Sequence, residues 1–417
     1  MRGQGMRILF TVSDYAAHYY PMVPLGWAFQ AAGHEVRVAC APSQATLVSQ
    51  AGLTPLPILG GPDMMVRGRL FHYFAALQNG SDRLGMPLHP VTGEVLDGLQ
   101  DFDFPAYKRA HRAGNIAAIR KSFDDTVAFA RDWQPRLVFH DILSTEGVLA
   151  AKVTGVPAAC HLWGAIGTDE DEPGADLVPP DHTGTFQRYG LPAMSADLIE
   201  RVIDPCPAAV AAPTRAARLP VRFVPYNGPG PSSVRALERP GRPGRPRVCV
   251  VWGDSLARLL GPGSFLVPDI VRALAGLDIE VVVTTVAGAT DRIGPVPDNV
   301  RLLENYPLKA LLPSCDAVVY HGGAGCGMTA LAAGTPQLAL PFTPEQTVNA
   351  RRLVSTGAGL CHPGRTVEPA VIRGSVTRLL EDPSYRTAAV ALREQAAQLP
   401  TPAELVRELA ASAPAAP

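Results

Sequence analysis

Charge is scarce in this chain. Only 18% of its 417 residues are Asp, Glu, Lys or Arg, and the formal net charge at pH 7 is −1. Such a surface has no electrostatic means of gathering nucleic acid or an anionic membrane, so neither is expected as a partner. Long apolar runs are missing as well. No stretch approaches the roughly 18 uninterrupted apolar residues of a membrane span, so stable membrane insertion is not expected. After Met1-Arg-Gly-Gln-Gly-Met6-Arg comes a short strand-like run rather than the apolar core of a signal peptide, and the chain reads as cytoplasmic. The seven cysteines, at 40, 160, 206, 249, 315, 326 and 361, are odd in number and share no CxxC spacing. That favours neither zinc nor a disulfide framework, and most of them sit in strand-like runs as small core residues.

What is present describes a globular enzyme. Hydrophobic residues make up 47% of the chain, and its length fits two domains of roughly 200 residues each. Arg7-Ile-Leu-Phe-Thr-Val12 reads as a strand buried on both faces, a helix spans about 22–32, and Glu35-Val-Arg-Val-Ala39 is the next strand. Strand, helix, strand in that space is a βαβ unit and implies a parallel sheet. Residues 60–110 read as long loops and short helices over the first sheet. A helix over 116–133, a strand at 136–140, a helix over 145–154 and a strand at 157–162 resume the alternation. The acidic loop Thr168-Asp-Glu-Asp-Glu-Pro173 reads as solvated surface rather than a metal site. Pro and Gly then crowd Phe223 to Pro231 and Arg239 to Pro246, which marks a linker. A second βα series follows from Val248-Cys-Val-Val-Trp252. The expectation is therefore α/β, with two doubly wound Rossmann-like domains facing across a cleft. An N-terminal domain spans 1–224, a linker 225–245 and a C-terminal domain 246–417, whose last helix can cross back to the N-terminal domain.

Chemistry is expected at the carboxyl ends of the strands. The most informative run is Asp316-Ala-Val-Val-Tyr-His321-Gly-Gly-Ala-Gly325-Cys326, followed by Glu345-Gln346-Thr-Val-Asn349. A glycine turn opening a helix lets an anion approach N–H groups that have no intrahelical partner, and His321 adds a donor. Alternatively His321 bonds backbone at the strand end, and Glu345 and Gln346 merely cap a helix. Ser255, in Trp252-Gly-Asp-Ser255, could form another side of the anion cradle. In Ser13-Asp-Tyr-Ala-Ala-His18, His18 is either a general base or a packed, capping histidine. Asp141 either reaches the His18 ring and fixes its tautomer or caps the following helix. No serine or cysteine nucleophile stands beside this pair, which disfavours covalent catalysis.

The run His321 to Ala350 closely resembles the signature of the GT-B glycosyltransferases of family 1, in their bacterial natural-product branch. Supporting segments include Pro21-Met-Val-Pro-Leu-Gly-Trp-Ala, His140-Asp141, the Val224-Pro-Tyr-Asn-Gly-Pro-Gly linker and Tyr306-Pro-Leu-Lys-Ala-Leu-Leu-Pro313. The resemblance implies an inverting enzyme that moves a deoxysugar from a dTDP-sugar to a hydroxyl of a hydrophobic macrolide- or polyketide-type aglycone. His18 would be the general base and Asp141 its supporting acid. His321, Gly322, Gly323, Ala324, Gly325 and Cys326 would hold the diphosphate, with Ser255 opposite. The backbone at Leu308 would read the pyrimidine, and Glu345, Gln346 and Asn349 would meet the sugar. No metal and no cofactor beyond the nucleotide-sugar co-substrate is implied, while a homodimer or a helper protein stays open. Cys326 stands where Ser or Thr is usual, and Glu345 where Asp often stands. Phe71, Tyr73, Phe74 and Trp163 are the candidate acceptor contacts. Three other readings are C-glycosylation of an aromatic polyketide, nucleotide-sugar epimerisation and an inactive sugar-nucleotide-binding homologue.

Overall fold

The computed structural model describes residues 5–80, 84–230 and 244–412. Of the linker expected at 225–245, residues 231–243 lie outside the described residues. The chain divides into two compact units. The first comprises Met1–Asp63, Phe104–Gly228 and Gln398–Pro417, and the second Met64–Asp103 and Pro229–Ala397.

The first unit holds seven strands: β1 (Arg7–Thr11), β2 (Glu35–Ala39), β3 (Thr54–Leu56), β4 (Leu137–His140), β5 (Ala158–His161), β6 (Arg201–Asp204) and β7 (Ala217–Pro220). They form one parallel sheet in the order β3-β2-β1-β4-β5-β6-β7. Ile8, Phe10 and Phe139 build its core together with Phe29 and Leu25 of the helix Val23–Ala31. Leu405, Val406 and Leu409 of the closing helix Pro402–Ser412 join the same core. The short strands β3, β6 and β7 carry no long apolar run, and β7 ends the sheet largely exposed, with a proline of the kind an edge strand tolerates.

The second unit holds β8 (Arg247–Trp252), β9 (Glu280–Thr285), β10 (Val300–Glu304), β11 (Ala317–Tyr320), β12 (Gln337–Ala339) and β13 (Gly359–Cys361). Their order is β10-β9-β8-β11-β12-β13, again all parallel. Both sheets therefore reverse their strand order once, between β1 and β4 in the first and between β8 and β11 in the second. Ligands of doubly wound sheets bind beyond the strand ends at such a switch point.

Residues 64–103 belong to the second unit, although the sequence reading assigns them to the first. Where that reading expects loops, Met64–Asn79 is a 16-residue helix. It lies against the helix Ser255–Leu260: a Cβ at Gly68 would collide with Leu259, and the Arg69 Nε–H donates to the Arg258 carbonyl at 2.7 Å. Leu84 sits in the second unit's core. The helix expected from 116 instead runs Phe104–Trp133, and its first turns carry too few buried residues to show an apolar stripe. Among the described residues no helix is long and apolar enough to cross a membrane.

Candidate functional site

In the first unit the switch strands end side by side, with Thr11 opposite His140 in the β1–β4 register. The chain leaving β1 supplies Ser13 and then His18, on the one-turn helix Ala16–Tyr19. The chain leaving β4 supplies Asp141. His18 is half-buried, and its ring stacks on Trp163 at 4.3 Å between centroids and 15° between planes. Tyr15 tilts against it at 4.7 Å. Burial among these groups pushes the His18 pKa down to about 3, which keeps the ring neutral and able to accept a proton.

Asp141 is fully buried, and it does not hydrogen-bond the His18 ring as the sequence reading expects. Its Oδ1 accepts the Leu143 and Ser144 N–H groups at 2.8 and 2.9 Å, which caps the turn after β4. The following helix, Glu146–Thr154, has Thr145 as N-cap with no side-chain cap, so Asp141 does not cap that helix either. Its Oδ2 accepts the Ser13 N–H at 2.6 Å. His18 Nδ1 lies 3.1 Å from the Ser13 hydroxyl. Burial raises the Asp141 pKa, and hydrogen bonds from Ser13, Leu143 and Ser144 counter it. Ser13 is thus the residue that sequence reasoning passed over. The only signal was its place, two residues beyond the end of a switch strand.

In the second unit β11 delivers His321 beside the end of β8, with Tyr320 opposite Val251. Gly322 adopts φ +84°, and a Cβ there would press on Pro341 and on the Gln346 carbonyl at 3.1 and 3.2 Å. Gly323 lies against the His321 ring, so close that a Cβ would come within 2.5 Å of Cε1. Only glycines make this turn. Gly323 is also the N-cap of the helix Ala324–Ala333 and has no side chain to cap it. The N–H groups of Ala324, Gly325 and Cys326 are therefore left without intrahelical acceptors and can face an anion. Burial pushes the His321 pKa down to about 4. Ser255 opens the short helix Ser255–Leu260 just beyond β8. Trp252, which could have crowded that turn, is turned inward, with its indole N–H donated to the Ser264 carbonyl at 3.0 Å.

Other expected donor contacts fall differently. The Cys326 side chain is buried in the core beside Tyr320 and Ala330, which leaves its N–H as the group it can offer. The Leu308 side chain also joins that core, and its carbonyl is taken by the Leu312 N–H. Its own N–H, in the first turn of the helix Leu308–Leu311, stays available to a base. Asn349 is fully buried and donates from Nδ2 to the Gly322 carbonyl at 3.4 Å, so it braces the glycine turn from behind instead of reaching a sugar. Gln346 accepts the Phe342 N–H on Oε1 at 3.0 Å, and its own N–H is capped by the Thr343 hydroxyl at 3.3 Å. Glu345 lies in the first turn of the same helix, Pro344–Leu353.

The acceptor candidates divide. Trp163 stacks on His18. Tyr73 is buried, its hydroxyl bonded to the Leu99 and Phe102 carbonyls at 2.8 and 3.3 Å, and is a structural residue. Phe71 and Phe74, 64% and 36% exposed, lie on the second unit's helix Met64–Asn79, so the apolar surface they offer belongs to a different unit from Trp163.

Two all-parallel doubly wound units, each with a polar turn at its switch point, are the architecture of the GT-B glycosyltransferases. The glycosyltransferase VinC, solved in complex with dTDP, matches at a TM-score of 0.72 and 29% identity over 98% of this chain and 99% of its own. The chain belongs to the glycosyltransferase family described as erythromycin biosynthesis protein CIII-like, whose N-terminal domain matches residues 27–253 and whose C-terminal domain matches residues 269–412. It is 37% identical to the 10-deoxymethynolide desosaminyltransferase of Streptomyces venezuelae, over 97% of this chain and 96% of that protein. To the aklavinone 7-beta-L-rhodosaminyltransferase of Streptomyces galilaeus it is 36% identical, over 96% and 94%.

Proposed function

We propose that this chain is an inverting O-glycosyltransferase that moves a deoxysugar from a dTDP-sugar to a hydroxyl of a bulky apolar natural-product aglycone. The observation that carries this reading is the environment of His18. A ring kept neutral by its surroundings has Nδ1 engaged by Ser13, and Nε2 has no partner among the described residues. Nε2 would take the proton of the acceptor hydroxyl as its oxygen attacks the anomeric carbon. The bond from that carbon to the diphosphate oxygen breaks on the opposite face, which inverts the configuration. His321 and the start of the helix Ala324–Ala333 would meet the charge on the departing diphosphate, so this reading calls for no divalent metal. The dTDP bound by VinC and the deoxysugar transfers named for the two relatives support the choice of donor.

Incubation with a panel of nucleotide sugars and aglycones, read by mass spectrometry, tests the substrate class. Turnover confined to UDP-sugars would rule out the dTDP donor. With an active pair in hand, His18→Ala should lower kcat by about 10²–10⁴ and leave dTDP binding unchanged. Undiminished turnover in that variant would remove His18 from the base role.

A further inference from the structure

Ser13 stands between the two residues whose cooperation the proposed transfer needs. Its hydroxyl oxygen is 3.1 Å from His18 Nδ1, and its backbone N–H donates to Asp141 Oδ2 at 2.6 Å. Asp141 cannot swing toward the ring without breaking this bond and those to the Leu143 and Ser144 N–H groups. No hydrogen bond joins Asp141 and His18 directly among the described residues. We propose that Ser13 is the positioning residue that couples Asp141 to His18, its hydroxyl accepting the Nδ1 proton of His18 while directing its own proton toward the Asp141 carboxylate. This inference rests on the general-base reading of His18.

Donor counting supports that direction. A serine hydroxyl has one proton to give, and an ionised carboxylate can only accept. A hydroxyl that gives its proton to Asp141 keeps only lone pairs to offer His18, so Nδ1 must be the nitrogen that carries hydrogen. The lone pair is then fixed on Nε2, the nitrogen with no partner among the described residues. During transfer the acceptor O–H bond breaks and its proton moves to Nε2, giving an imidazolium. The Nδ1 proton stays on Nδ1 and the serine proton stays on Ser13, and both bonds shorten toward the carboxylate as charge builds on the ring. Asp141 is not protonated, and no proton is lost or gained beyond the one taken from the acceptor.

The test combines kinetics with the tautomer of His18. Ser13→Ala should lower kcat roughly 10- to 100-fold, the worth of a hydrogen bond to a charged group, with KM for donor and acceptor little changed. Ser13→Thr, which keeps the hydroxyl, should recover most of the loss. Asp141→Asn should reduce kcat alone but add little in the Ser13→Ala background, because its influence passes through the missing hydroxyl. In long-range 1H–15N spectra of histidine-labelled protein, the His18 signals should report hydrogen on Nδ1 in the wild type and Ser13→Thr. That preference should be lost in Ser13→Ala. Wild-type turnover in Ser13→Ala, or independent multiplying losses in the double variant, would overturn the coupling. So would a wild-type His18 protonated on Nε2, a result that does not require Ser13→Ala to fold. If His18→Ala also kept full turnover, the general-base reading itself would fail. If His18 is essential while Ser13 is dispensable, only the coupling falls.

Discussion

His321 holds its Nδ1 in a buried position with no hydrogen-bond partner among the described residues, and burial drives its pKa down to about 4. A neutral imidazole carries one proton, and a buried N–H without an acceptor is costlier than a buried lone pair. An Nδ1 without an acceptor favours the proton on Nε2, which under the proposed function would be the donor to a diphosphate oxygen. This is the reverse of the assignment proposed at His18, where Ser13 would draw the hydrogen to Nδ1 and leave Nε2 to accept. On the proposed function the two neutral histidines would take opposite tautomers because their neighbours differ. Under the proposed function, removing the ring at His321 would delete a hydrogen bond to the charged diphosphate. His321→Ala should accordingly weaken dTDP binding roughly 10- to 100-fold by calorimetry. An unchanged Kd would mean that the helix N–H groups hold the diphosphate alone.

At the scale of elements, the second sheet is fixed at its amino end by charge as well as by apolar packing. Arg247 at the start of β8 is fully buried and faces Glu280 across the β8–β9 register. Its Nε–H donates to Glu280 Oε2 at 2.8 Å, and its Nη1–H donates to the Ser314 hydroxyl at 2.9 Å. Glu280 also faces Arg301 at 3.7 Å, but Arg301 is partly exposed. Taking away Arg247 therefore leaves the Glu280 charge under-compensated in the core, whereas removing both leaves only a partly solvated Arg301. Arg247→Ala should cost about 3–5 kcal/mol in urea unfolding, and Arg247→Met with Glu280→Leu should recover a large part. A double variant as unstable as the single one would contradict this account. The strands that a reader of the sequence finds are those buried on both faces, such as β1 and β11, since such strands read as unbroken apolar runs. Elements whose burial depends on a distant partner stay hidden. In the helix Met64–Asn79, Val66, Leu70, Tyr73, Phe74 and Leu77 do recur at helical spacing, but the interior Gly68, whose missing Cβ makes room for Leu259, interrupts the pattern as a turn residue would. The site follows the same rule. His18, Asp141 and His321 were legible because they follow predictable strands. The inward turn of Tyr73 and Asn349, and the place of Ser13 between His18 and Asp141, depend on side-chain directions that residue type does not encode.

At the scale of the whole molecule, buried histidines set how the protein responds to acid. Burial lowers the pKa to about 3 at His18 and about 4 at His140, His161 and His321. An unfolded histidine titrates near 6.5, so below that pH the unfolded chain binds protons that the folded protein refuses. Stability is therefore held above about pH 6.5 and is lost as pH falls toward 4. His140 and His161 are each 2% exposed, so the linkage applies to them with little solvent screening. Each should remove about 2 kcal/mol by pH 5. Asp141 and Glu146, whose pKa values burial raises, act in the opposite sense, because the folded protein takes up their protons first and so limits the loss. His18, His140 and His161 all lie in the first unit, against His321 in the second. The first unit should thus be the more acid-sensitive. Trp27, Trp133 and Trp163 of the chain's 4 tryptophans also lie there, so fluorescence-detected urea unfolding follows that unit. Its midpoint should fall steadily from pH 7 to pH 5 with net proton uptake on unfolding, and His140→Gln should flatten the slope. A midpoint independent of pH over that range would mean that the folded protein takes up protons as readily as the unfolded chain, and with that the neutral base proposed at His18 would lose its electrostatic footing.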